Sequence, residues 1–163
     1  MKVEVKLTGV DGVLKTLSSL PAEVVSKRGG PVKAALAKGA RFLRDRAKEN
    51  LRRSIAEGPT TRSTGSLENR VIASRGKAPF GGNGERYLVR VKKLDYLNAD
   101  GERTNPLMTA NLLEYGSSHQ PATPWLRPTV AQHGGQAIEI VTKDLSARVQ
   151  KIVAKLAAQN KGR

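Results

Sequence analysis

The sequence predicts an α+β domain in which a small, mainly antiparallel sheet packs against a long basic helix and a carboxy-terminal helix, with long loops between them. Three patterns lead there. Residues 2–7 alternate, with Val3, Val5 and Leu7 on one face and Lys2, Glu4 and Lys6 on the other, as a half-buried strand does. Two long stretches repeat their apolar residues at steps of three and four, the spacing of one buried helix face. Two β-rich runs, 71–74 and 87–93, flank a glycine-rich tip too long for a tight hairpin turn. At 163 residues the chain is one domain by length, large enough to bury roughly 68–70% of its unfolded surface.

In chain order, Asp11 is placed to cap a short helix that Pro21 ends by residue 20. The longest predicted helix covers 31–56, with Val32, Leu36, Ala40, Leu43, Ala47, Leu51 and Ile55 as its buried stripe and Gly39 as a weak point. A start near Ala22 is open, but Gly29-Gly30-Pro31 argues for a break. Residues 57–70, rich in Gly, Pro, Ser and Thr, read as a loop. The tip 75–86, with four glycines, is expected to be mobile, and 94–109 is expected to be irregular around an Asp100-Gly101 turn. A last helix is predicted over 128–158, with Ile138, Val141, Leu145, Val149, Ile152 and Leu156 buried and Gly134-Gly135 interrupting its first turns. Residues 159–163 are expected to fray.

Between them lies the most informative stretch, 111–128, which holds a short apolar run, a glycine stop, three prolines and the only tryptophan. Gly116 can take the left-handed conformation that ends 112–115. Pro121, Pro124 and Pro128 fix φ and hold Gln120, Thr123 and Arg127 extended. Pro128 suits the first position of the next helix, and Trp125 with Leu126 can dock that helix end on the body of the fold. Glu114 is either a buried partner of Arg127 or a half-exposed acid before the glycine.

Leu113-Glu114-Tyr115-Gly116, Gln120-Pro121-Ala122 and Pro124-Trp125-Leu126-Arg127-Pro128 resemble the signature of a tailed-bacteriophage family, the gene-product-ten-like tail components of lambdoid phages. The likeness extends loosely to the amino-terminal strand, the basic helix, Ser63-Thr64-Gly65-Ser66-Leu67, the hairpin and the last helix. Trp125 stands where such proteins usually carry phenylalanine, and 94–109 is insertion-like. The resemblance implies a structural virion protein, made in the host cytoplasm, that completes the neck or tail. Copies would form a ring between head connector and tail tube, six favoured and twelve possible, through which double-stranded genomic DNA passes. Glu114, Tyr115, Gly116, Pro121, Pro124, Trp125, Leu126, Arg127 and Pro128 would then be structural or interface residues.

Composition sets the competing readings. A formal net charge of +15 favours polyanions, either nucleic acid or acidic protein surfaces, or else keeps the chain soluble before assembly. On the long helix Arg41, Arg44, Lys48 and Arg52 lie beside the apolar stripe as a polyanion-facing row. The plainer alternative is a solvated face with Arg41/Asp45 and Glu49/Arg53 pairs. Aromatics do not interleave with these cations, so contact with DNA would be to the phosphate backbone; a free-standing basic nucleic-acid-binding protein is the alternative function. There is no cysteine, so disulfides and thiol chemistry are out. His119 and His133 are the only histidines and lack metal-ligand spacing; Ser117, Ser118 and His119 are mere neighbours in sequence; the glycines of 80–84 lack the following Gly-Lys-Ser/Thr of a phosphate loop. No enzyme, cofactor or metal is expected. No apolar run is long enough to span a bilayer, and 1–7 alternates where a signal peptide needs a continuous apolar block.

Overall fold

The computed structural model describes residues 30–57, 65–77, 84–97, 101 and 103–161, and in them the chain is α+β. The order is α1 (Gly30–Glu57), α2 (Ser66–Arg70), β1 (Val71–Arg75), β2 (Tyr87–Val91), β3 (Tyr96–Leu97), β4 (Arg103–Thr104), α3 (Pro106–Tyr115) and α4 (Leu126–Lys161). The expected strand at 2–7, the helix at 11–20 and the tip residues 78–83 lie outside the described residues.

Helix α1 is the spine. It packs along α4 on one side and against β1 and β2 on another. Its stripe is buried at Ala40, Ala47 and Leu51 but only half-buried at Val32, Leu36, Leu43 and Ile55. Where α1 meets α4, Ala35 and Val32 pack with Val141, Leu145 and Val149, and Gly39 is a point of close approach. A Cβ there would collide with the Val141 side chain and come within 3.2 Å of the Ala137 carbonyl. The weak point in helix propensity is therefore a contact point in packing. Asp144, on α4, accepts from Lys38 across the interface at 2.9 Å and from Arg148 one turn along, and these two bonds hold its carboxyl below the usual aspartate range.

β1 and β2 pair antiparallel with Val71 opposite Val91 and Arg75 opposite Tyr87. The ladder continues one step through Gly76 N–H to Arg86 O at 2.8 Å, and Arg75 grips Glu85 through both carboxylate oxygens at 2.6 and 2.8 Å. β2 ends at Val91, two residues before its predicted end.

Four other expectations are corrected. The described end of the predicted loop 57–70 is a short helix, α2, entered through Gly65 at φ +69°, a left-handed turn natural to glycine. Within 94–109, β3 and β4 pair around Gly101 at φ +77°, and α3 begins at Pro106. α4 starts at Leu126, so Arg127 is helical rather than extended and Pro128 occupies the third helical position rather than the first; it is tolerated because that residue has no intrahelical acceptor for its N–H. Lastly, α4 runs unbroken through Gly134 and Gly135 to Lys161. Two glycines cost about 2 kcal/mol of helix propensity, which packing against α1 offsets.

Gly39 and Gly135 give a matched test. Gly135→Ala has open space around its new methyl and should raise stability by about 0.5–1 kcal/mol. Gly39→Ala gains the same propensity but forces the helices apart, costing about 1–3 kcal/mol, so its melting temperature should fall. Equal stabilisation by both would show that α1 and α4 do not approach so closely.

Candidate functional site

The joint between α3 and α4 is built on Glu114. Helix α3 begins with Asn105, whose side chain accepts from Met108 N–H at 2.9 Å, and with Pro106 next, where a missing N–H is harmless. It ends where Gly116, at φ +73°, donates to Leu112 O at 2.8 Å. A side chain at 116 would stand 2.8 Å from both Ala122 N and Gln120 O, so only glycine fits this turn. The loop then closes on itself, Ser117 N–H donating to Gln120 O and Thr123 N–H to Leu113 O, each at 2.8 Å.

This turn brings the amino terminus of α4 over the Glu114 carboxylate. Oε2 accepts from Trp125 N–H at 2.9 Å and Leu126 N–H at 2.8 Å; Oε1 accepts from Arg127 N–H at 3.1 Å and Arg127 Nε at 2.8 Å. The Arg127 guanidinium also donates to the Glu114 backbone carbonyl at 2.7 Å and lies over the Tyr115 ring, 5.2 Å from its centroid. A helix start leaves its first N–H groups without partners and carries partial positive charge, so a carboxylate from another element is the best available cap. Burial alone would push the Glu114 carboxyl up, but the N–H groups of Leu126 and Trp125, with Arg127, outweigh it and hold the group below its ordinary value. With four donors on two oxygens, this carboxylate is saturated and is a structural anion rather than a general base.

Trp125, only 3% exposed, is packed with Leu51, Leu67, Val71 and Leu113, and its Nε1 donates to Ala110 O at 3.3 Å. Thr129 Oγ1 donates back to Trp125 O at 2.7 Å and accepts from Asn50 of α1 at 2.8 Å; Ser54 Oγ donates to Pro124 O. Thus α1, α3 and α4 all converge on three residues, 124–126. Leu126 is half-buried, Pro128 likewise, while Pro121 and Pro124 are exposed on the loop's outer side and Tyr115 is 68% exposed. Sequence reading missed Asn50, Asn105 and Thr129. Of these only Asn105 left a signal, since Asn-Pro before an apolar run is a helix start.

The basic row is partly neutralised. Arg44 pairs with Asp45 at 2.7 Å and Arg52 with Glu68 of α2, whose carboxyl that hydrogen bond lowers. Arg46, not Arg53, takes Glu49, and it also lies over Phe42. The Arg41/Asp45 and Glu49/Arg53 pairs expected from spacing give way to these shorter-range partners. Arg41 and Lys48 form no ion pair with a described residue. His133 stands edge-on to Phe42 with Nδ1 3.2 Å from Gln136 Oε1, and the exposed His119 lies in the 116–125 loop. Among the described residues no group of three or more metal-ligating side chains is gathered, and no helix is long and apolar enough to cross a membrane.

In comparisons with protein-family models, curated proteins and solved structures, nothing matched this chain.

Two substitutions probe the joint. Glu114→Gln should lower stability at neutral pH by about 2–3 kcal/mol, since it weakens charge-assisted bonds to buried donors. Because the folded carboxyl sits below its unfolded value of about 4.5, its stabilisation is complete above that pH and is lost as pH falls through the folded value. The gap between wild type and Glu114→Gln should therefore close on acidification; a gap independent of pH would contradict the ionic cap. Trp125→Ala should cost about 3–5 kcal/mol by calorimetry or denaturant titration, and an unchanged midpoint would show that the indole is not a core residue.

Proposed function

We propose that this chain is a structural protein of a tailed-phage virion, one copy of a ring in the neck or at the head-proximal end of the tail that completes head–tail joining and leaves a passage for DNA. The observation that carries the reading is that the signature-like residues fold as one joint: Glu114, Gly116, Trp125 and Arg127 all act in fixing α4 to α3. A protein whose work is to hold a position in an assembly needs such a rigid corner, and the Glu114 carboxylate at its centre is fully taken up by its four donors. A closed ring uses heterologous contacts, each copy offering one surface to the next. Six copies match a sixfold tail tube, and twelve match a portal-type connector. The neighbouring connector, neck and tail-tube proteins are the expected partners, and Arg41, the exposed member of the Arg41, Arg44, Lys48 and Arg52 row that forms no ion pair with a described residue, is the cation of that row best placed to face DNA phosphate or acidic neighbours.

Native mass spectrometry over a concentration range should find a closed species of six or twelve copies, and virion-labelling microscopy should place it at the neck. A strictly monomeric chain found only off the particle would overturn the assignment. The net charge of +15 also favours a second reading, a free-standing nucleic-acid-binding protein. Under that reading the monomer binds duplex DNA below micromolar with a steep salt dependence, whereas the ring reading expects weak binding before assembly.

A further inference from the structure

Among the described residues of this strongly basic chain, two largely apolar surfaces stand out, and they have comparable lengths; the one cation beside the first is Arg127, over the Tyr115 ring. The first is the outer face of α3. Its inner face, Ala110, Leu113 and Glu114, is buried, but Met108, Leu112 and Tyr115 point outward with 58%, 36% and 68% of their surface exposed. These stand at i, i+4 and i+7, the spacing with which a short helix anchors in an apolar groove. No lysine or arginine occurs in the helix, and its single acid is turned inward and neutralised. The second surface is a groove of about 680 Å³ between α1, α4 and β2, walled by such residues as Leu36, Leu43, Leu88, Val130 and Ile138 and, among the described residues, by no charged one. Along α1 it extends from Val32 to Leu43, about 16 Å at 1.5 Å per residue, and α3 with its ten residues is about 15 Å long.

We propose that α3 of one copy seats its Met108, Leu112 and Tyr115 ridge in the α1–α4–β2 groove of the next copy. The ridge cannot fill its own groove, because the inner face of α3 is fixed on Trp125 and Leu67 of its own chain. Ridge and groove are different surfaces, so the contact is head-to-tail and builds a ring when the rotation closes. Charge selects the occupant as well: copies at +15 repel each other, and a ridge whose one cation is Arg127 meets in this groove no described residue of like charge. The inference rests on the ring reading and specifies its subunit contact.

The test uses the whole chain. Met108→Asp/Leu112→Asp alters exposed side chains, so the melting temperature should stay near wild type while the concentration for half-assembly rises at least about tenfold, as loss of interface anchors predicts. A photo-cross-linking benzophenone side chain at Met108 should attach to groove residues of a second copy, and one at Thr142 should attach to α3 of a second copy. If the double variant assembles like wild type, or the cross-links fall elsewhere, the ridge-in-groove contact is wrong while the ring stands. Attachment of the Thr142 probe to residues 1–29 of its own chain would give the groove to the amino-terminal segment and overturn the proposal. A wild-type chain that never self-associates overturns both readings.

Discussion

The described structure depends on one buried anion. Glu114 leaves the end of α3 pointing into the core, and its two oxygens take the backbone N–H groups of Trp125, Leu126 and Arg127 together with the Arg127 guanidinium. Helix α4 is 36 residues long, so the angle at which its first turn is held sets where its far end lies. A side-chain cap from within the helix would satisfy one or two donors but would not orient the helix relative to anything else. A cap from α3 does both. Pro128 completes the arrangement by removing an N–H from the helical position after Arg127.

The cap in turn makes the core possible. With 124–126 held, the indole of Trp125 enters the space bounded by α1, α2, α3 and β1, and Thr129 ties the same turn to Asn50. In a chain with 4% aromatic residues, one indole supplies much of the bulk that would otherwise come from several side chains. Farther along, α1 and α4 touch through Gly39, Ala137 and Val141, where small residues bring the backbones close. The apolar groove runs along this same contact, lined by Gly39, Ala137 and Val141 as well as by Leu36 and Leu43, and Val32, Leu36, Leu43 and Ile55 of the predicted α1 stripe are only half-buried.

Much of this was legible. Helices α1 and α4, the pairing of β1 with β2, the left-handed Gly116 and the docking of Trp125 are local or periodic signals that follow from residue type and spacing; of the predicted α4 stripe Leu145 and Val149 are buried and Ile138, Val141 and Ile152 half-buried. The Glu114–Arg127 pair was one of two open readings. Its capping of α4 was not legible, because an acid before a glycine gives no hint that backbone donors 11–13 residues away will close on it. Gly134-Gly135 misled for the opposite reason: propensity is local, and packing along α1 overrode it. α3 is not expected from the pattern of 94–109, which reads as irregular, although Asn105-Pro106 is a helix-start signal. Long-range ion pairs such as Arg52–Glu68 and Lys38–Asp144 have no sequence signature at all.

Amide hydrogen exchange at Trp125, Leu126 and Arg127 tests the central role of the Glu114 cap most directly. In the wild-type protein these amides should be among the slowest of the loop and helix start. In Glu114→Gln their protection should collapse toward that of the surrounding loop, while α1 amides near Leu51 keep most of theirs at a temperature where the variant is folded. Unchanged protection at those three amides in the variant would contradict the account, because α4 would then be held in place by something other than this carboxylate.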